Sequence, residues 1–237
     1  MPRGTFVIFR VDRFPEPGNA RTYKTEEKRP RGSDDEHADL VYTSIRISDQ
    51  QAPIAGEYGR AALVHRKGVK IEGVWHGNII TEVVQQKKFD GYFNRQRRTF
   101  IAEVEKEIAM SAAEALSGDR VLGQHFRFRK IDLDFSRITP RAINVIGAWF
   151  KGMRYTNIRT EAAFGNHITI DPEFLRMAQH GNQSNLILVI DFNGTHLKLN
   201  ISRAGSAFFM QDCPLEMCLA FMEHLLTYER APNPAAL

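Results

Sequence analysis

The chain has 237 residues and only two cysteines, Cys213 and Cys218. They lie five apart in a segment that reads as helix, which puts them on different sides of it and supports neither a disulfide nor a metal pair. No disulfide framework is expected, and a reducing cytoplasm is the simplest compartment. Long apolar runs are also missing. None approaches the roughly 18 consecutive apolar residues of a membrane-spanning helix. The opening stretch MPRGTFVIFRVDRF carries charges inside its apolar run and has no small-residue cleavage site, so it does not read as a secretory signal. Phosphate-loop, dinucleotide-fingerprint and nucleophile-elbow motifs are absent, and no His/Cys cluster has structural-zinc spacing. No resident cofactor or metal is therefore expected, and no internal repeat is found.

What is present is ordinary globular composition: 43% hydrophobic residues, 25% charged residues and sixteen phenylalanines, ample for a buried core. The net charge of +4 is unevenly spread. Residues 85–160 hold fifteen Lys/Arg against eight Asp/Glu, whereas residues 161–237 hold four against eight. A basic middle beside an acidic C-terminal third suits a polyanion-facing surface or complementary subunit faces. Separate solvated faces would give the same balance.

The firmest local signal is SNLILVIDF-NG-THLKLNIS. Two apolar-alternating runs flank Asn193-Gly194, a dipeptide whose tolerance of positive φ favours a two-residue type I′ turn. Such a turn fixes the register: Phe192 faces Thr195, Asp191 faces His196, Ile190 faces Leu197 and Val189 faces Lys198. Leu186, Leu188, Ile190, Phe192, Leu197, Leu199 and Ile201 then form a core face. Asp191, His196, Lys198 and Asn200 share the other.

Around this hairpin the pattern predicts an α+β fold, mainly antiparallel sheet, with a long central helix and a C-terminal three-stranded meander packed by a terminal helix. Residues 1–118 are expected as a β-rich N-terminal half and 119–237 as an α+β C-terminal half. In the first, Thr5–Val11 and Leu40–Ile47 read as strands and residues 15–39 as a polar loop. Ala61–His65 and Val69–Val74 read as a hairpin around Lys67-Gly68, and Phe93–Leu116 as the long helix. In the second, Phe126–Phe135 reads as a strand. Thr139-Pro140 and Asp171-Pro172-Glu173 read as helix starts, the first leading through Trp149 and Phe150. Ser206–Met210 reads as the third meander strand and Pro214–Tyr228 as the closing helix. The arginines near residue 95 would sit at the N-terminus of the long helix, where cations oppose the macrodipole, so helix stability does not account for them.

Two constellations carry candidate chemistry. The first is the basic face of residues 87–159: Lys87, Lys88, Arg95, Arg97, Arg98, Arg127, Arg129 and Lys130, interleaved with Tyr92, Phe93, Phe100, Phe126 and Phe128. Cations for phosphates and aromatic faces for bases are the ingredients of a nucleic-acid groove. The plain alternative is buried aromatics backed by exposed arginines. The second is the hairpin's polar face. Asp191, His196 and Lys198 could form a metal-assisted nuclease site using magnesium or manganese, with Glu161 or Glu173 as a further carboxylate. Its plain alternative is a solvated cross-strand pair. The spacings Arg60-x4-His65 and Arg120-x4-His125 match one class of helical ribonuclease toxins but fall outside helical patterns, and that reading is rejected.

The favoured expectation is a non-catalytic nucleic-acid-binding or complex-forming subunit, in a setting such as bacterial or phage conflict. The nuclease and a self-assembling interaction subunit are the alternatives.

Overall fold

The computed structural model describes residues 4–15, 21–29, 40–51, 57–75, 78–154 and 160–231. In chain order its elements are β1 (Thr5–Arg13), β2 (Arg21–Lys24), β3 (Tyr42–Gln51), β4 (Tyr58–Trp75), β5 (Asn78–Asn94), β6 (Thr99–Glu103) and α1 (Lys106–Gly118). There follow β7 (Arg127–Arg129), α2 (Phe135–Ile138), β8 (Ala142–Lys151), β9 (Thr160–Phe164) and α3 (Pro172–His180). The last are β10 (Asn182–Phe192), β11 (Thr195–Ser202), β12 (Ser206–Phe209) and α4 (Leu215–Leu225). The fold is a mixture of helices with extensive antiparallel sheet. Two units separate: Arg10–Arg129, called the middle unit here, and Met1–Phe9 with Lys130–Leu237, called the terminal unit.

In the terminal unit the strands run β1-β12-β11-β10-β8-β9. The Asn193-Gly194 turn has φ of 53° and 76°, and the β10–β11 register pairs Asp191 with His196 and Val189 with Lys198, as the dipeptide requires. Leu186, Leu188, Ile190, Leu197, Leu199 and Ile201 are buried, whereas Phe192, next to the turn, is only half-buried. Phe209 packs edge-on against both Phe6 and Phe221, and Phe192 against Phe221, so an aromatic ladder joins β1, β12 and β10 to α4. On β1, Phe6, Val7, Ile8 and Phe9 are all buried, so the strand does not alternate. Gly205, at φ 77°, tightens its far side: a Cβ there would lie 2.4 Å from Ile131. The start of α3 follows its signal, with Asp171 accepting the Glu173 N–H at 2.7 Å and Pro172 in the first turn.

In the middle unit the order is β2-β3-β4-β5-β6-β1, with β7 on the other side of β1. Its core is aromatic. Gly59 and Gly91 make room for rings, since a Cβ at either would meet Phe93 or Phe100 at 2.1–2.2 Å. α1 buries Ile108, Ala109, Ala112, Ala113 and Leu116, one stripe at helical spacing.

Four expectations are corrected. The long helix 93–116 is instead the end of β5, a turn, β6 and then the shorter α1. The Ala- and Glu-rich part is α1 itself, whereas the β-favouring Thr99-Phe100-Ile101 ahead of it joins β5 by antiparallel pairing of Gly91 to Ala102 and Asn94 to Thr99. The helix expected from Thr139-Pro140 is one 3-10 turn, after which β8 runs between β10 and β9 and pairs with both. The Lys67-Gly68 turn is not a turn: β4 passes straight through and pairs with β5 along its length. The strand 126–135 shrinks to Arg127–Arg129, followed by an extended stretch and the Asp134-capped α2. Within the 15–39 loop, Arg21–Lys24 is an edge strand on β3. Residues 16–20 and 30–39, with the acidic cluster 34–36, lie outside the described residues.

Candidate nucleic-acid interface

The arginines at 95–98 form the turn between β5 and β6. Asn94 and Thr99, 2% and 1% exposed, close it as a cross-strand pair. The Asn94 side chain accepts the Arg97 N–H at 3.1 Å, and the Arg98 N–H reaches the Arg95 carbonyl at 3.3 Å. Arg98 sits at φ 53°, left-handed backbone that an arginine adopts at a cost of about 1–2 kcal/mol. Placing these cations on a sheet turn removes the conflict with a helix dipole.

The Arg98 carbonyl accepts the Val11 N–H at 2.9 Å, tying the turn to the end of β1. From there the chain presents Asp12, Arg13, Phe14 and Pro15, which with the turn, Phe93, Gln124 and His125 line a cavity of about 420 Å³. Phe14 stacks on Phe93 at 4.5 Å between centroids and on Phe100 at 5.7 Å, and meets Phe126 and Phe128 edge-on. The floor is thus aromatic and held from below. The rim is cationic: Arg13, Arg95 and Arg98 have no carboxylate partner among the described residues. Asp12, the one carboxylate lining the cavity among the described residues, lies 3.8 Å from both Arg127 and Arg129 across the β1–β7 pair. Such exposed pairs contribute at most about 1 kcal/mol, so two arginines share one weakly held carboxylate.

Of the basic residues expected on this face, Arg95 and Arg98 line the cavity. Arg97 belongs to the same turn, and Arg127 and Arg129 are exposed on β7 with Phe126 buried behind them. Lys87 and Lys88 are elsewhere, about seven residues back along β5 and hence about 24 Å from the turn. Lys87 also reaches Glu105 at 3.4 Å. Lys130 belongs to the terminal unit. Arg13, Phe14, Gln124 and His125 were missed by sequence reasoning. The string Arg10-Val-Asp-Arg-Phe-Pro carried a signal, because a strand ending in alternating charge and an aromatic before proline marks a rim.

The hairpin's polar face is open. Asp191 and His196 are 53% and 69% exposed at the side chain, 3.8 Å apart, and Asp191 also accepts the Gly194 N–H at 3.2 Å. Glu161 and Glu173 are both engaged by Arg176. Glu161 pairs with Phe150 on β8, and Phe150 with Gln183, which sets it about 25 Å along β10 from Asp191. No group of three His, Cys, Asp or Glu side chains among the described residues is placed to hold a metal.

One buried polar constellation lies in the middle unit. His65 is 3% exposed; its Nδ1 is 2.8 Å from Thr43 Oγ1 and its Nε2 3.0 Å from Ser111 Oγ, linking β3, β4 and α1. Burial, helped by Lys67, pushes the imidazole down to about 4, so it is neutral at pH 7. A Ser–His pair is the arrangement of a nucleophile and its base; here the ring is buried, Ser111 is half-buried, and Thr43 holds the other ring nitrogen. Further along the same strand pair, burial and Glu103 push the Tyr92 phenol up, and its hydroxyl donates to Glu103 at 3.1 Å.

No family model matches the chain, and no curated protein matches its sequence. No helix among the described residues is long and apolar enough to cross a membrane.

Proposed function

We propose that the protein is a nucleic-acid-binding subunit whose contact surface is the end of β1, the Arg95–Arg98 turn and β7. The observation that carries this reading is that Arg13, Arg95 and Arg98, which have no carboxylate partner among the described residues, surround an aromatic-floored cavity. Three guanidiniums without carboxylate partners among the described residues mark a place where an external anion supplies the missing charge. Arg98 supports it independently. A residue held in left-handed backbone that glycine would adopt more easily points to selection for the side chain. Arg127 and Arg129 extend the positive strip beside the cavity, and their shared Asp12 leaves net positive charge there.

The test is fluorescence anisotropy with labelled DNA and RNA oligonucleotides over a salt series. Three phosphate contacts give a slope of log affinity on log salt of about −2 for a single strand. Arg95→Glu with Arg98→Glu is expected to flatten that slope and weaken binding more than tenfold. Retention that ignores both salt and the double substitution refutes the reading.

A further inference from the structure

We infer that this cavity takes an unstacked nucleotide of a single strand, not the backbone of a duplex. The inference rests on the nucleic-acid reading and narrows it. Electrostatics alone would call for a flat or convex strip of cations that follows phosphates along a groove. Here the cations instead rim a concavity of about 420 Å³, within the range of small-molecule pockets and suited to one nucleotide. The floor is Phe14 on Phe93, with Phe126 and Phe128 edge-on to Phe14, so the ring that meets a ligand is immobilised by four others. A preorganised aromatic face gains most from stacking, because little side-chain freedom is lost on binding. In a duplex, base faces are already stacked on their neighbours and cannot reach a recessed ring; an unpaired base can. Gln124, exposed on the rim, offers both an amide donor and a carbonyl acceptor to a base edge, while Arg13, Arg95 and Arg98 are placed for the adjoining phosphates.

Anisotropy on the full chain, with labelled dT12, rA12 and a blunt 12-base-pair DNA duplex in the same buffer, tests the assignment, with AMP as competitor. The expected result is single-strand binding at least tenfold tighter than duplex binding. Phe14→Leu should weaken only the single strands, by about 5- to 150-fold, the range that loss of one stacked base gives. Phe14→Tyr keeps the stacking ring and should bind like the parent, which separates loss of stacking from loss of folding. Equal binding of strand and duplex with Phe14→Leu silent overturns this inference and leaves the basic face standing. Absence of any salt-sensitive nucleic-acid binding overturns the basic-face reading too. AMP binding more tightly than either strand overturns the single-strand assignment in favour of a mononucleotide site.

Discussion

His65 should make the middle unit acid-sensitive in a pH range where carboxylates are still ionised. Its imidazole is held neutral down to about pH 4, whereas in the unfolded chain it takes a proton near 6.5. Between those values the unfolded state binds more protons, so stability falls as pH falls. The stabilisation is fully present above about pH 6.5 and is lost progressively towards pH 4. The whole shift corresponds to about 3 kcal/mol. At pH 5 the loss relative to pH 7.5 is about 2 kcal/mol by the same linkage. With a urea m-value of about 2 kcal/mol/M, the unfolding midpoint should drop by about 1 M. Measured by circular dichroism, the parent should show this drop. His65→Leu combined with Thr43→Val and Ser111→Ala, which leaves no orphaned hydroxyl, should lose most of it. The residual slope belongs partly to His224, which burial and then Arg141 also hold low. Asp119 and Asp134, held low chiefly by hydrogen bonds from Leu122 and Ser136, act further into acid. A His65 ring that titrates by NMR near 6.5, or an unchanged slope in the triple variant, would refute the reasoning.

Four other outcomes are expected. Arg98→Gly should leave thermal stability unchanged or raised by about 1 kcal/mol through relief of left-handed strain, while oligonucleotide affinity falls; a clear loss of stability would show that the arginine is itself structural. Gly91→Ala should destabilise by about 1–3 kcal/mol in chemical unfolding, because its methyl would lie 2.2 Å from Phe100, and a neutral result would mean the ring moves freely. Asp191→Asn and His196→Gln should each change stability by less than about 1 kcal/mol, as expected of an exposed cross-strand pair. Incubating parent and Lys198→Ala with labelled nucleic acid over magnesium and manganese should show no metal-dependent cleavage. Cleavage by the parent that the variant lacks would restore the hairpin as a nuclease centre.

The parts legible in the sequence are those whose energetics are local. Asn193-Gly194 dictates its turn because few dipeptides tolerate two successive positive φ values, and the register of eight residue pairs from Asn185–Ser202 to Phe192–Thr195 follows from that one turn. Asp171-Pro172 opens α3 because a side-chain acceptor and a preset φ act within one turn of chain. Arg127 and Arg129 show on the opposite face from Phe126 because strand side chains alternate.

What only the tertiary structure decided is pairing between distant segments. The helical signal of 102–116 does not reach back over Thr99–Glu103, which pairs with β5, and 142–151 follow a helix-start signal at Thr139-Pro140 yet lie between two strands. Local propensity is worth tenths of a kcal/mol per residue and loses to backbone pairing and burial that no short window contains. The candidate site is the extreme case. Arg13 and Phe14, Arg95 and Arg98, and Gln124 and His125 come from three separate stretches of chain. The sequence by itself supplied the arginines and the hairpin. The fold decided which arginines surround an aromatic floor, and why Lys87, Lys88 and the Asp191 face are not among them.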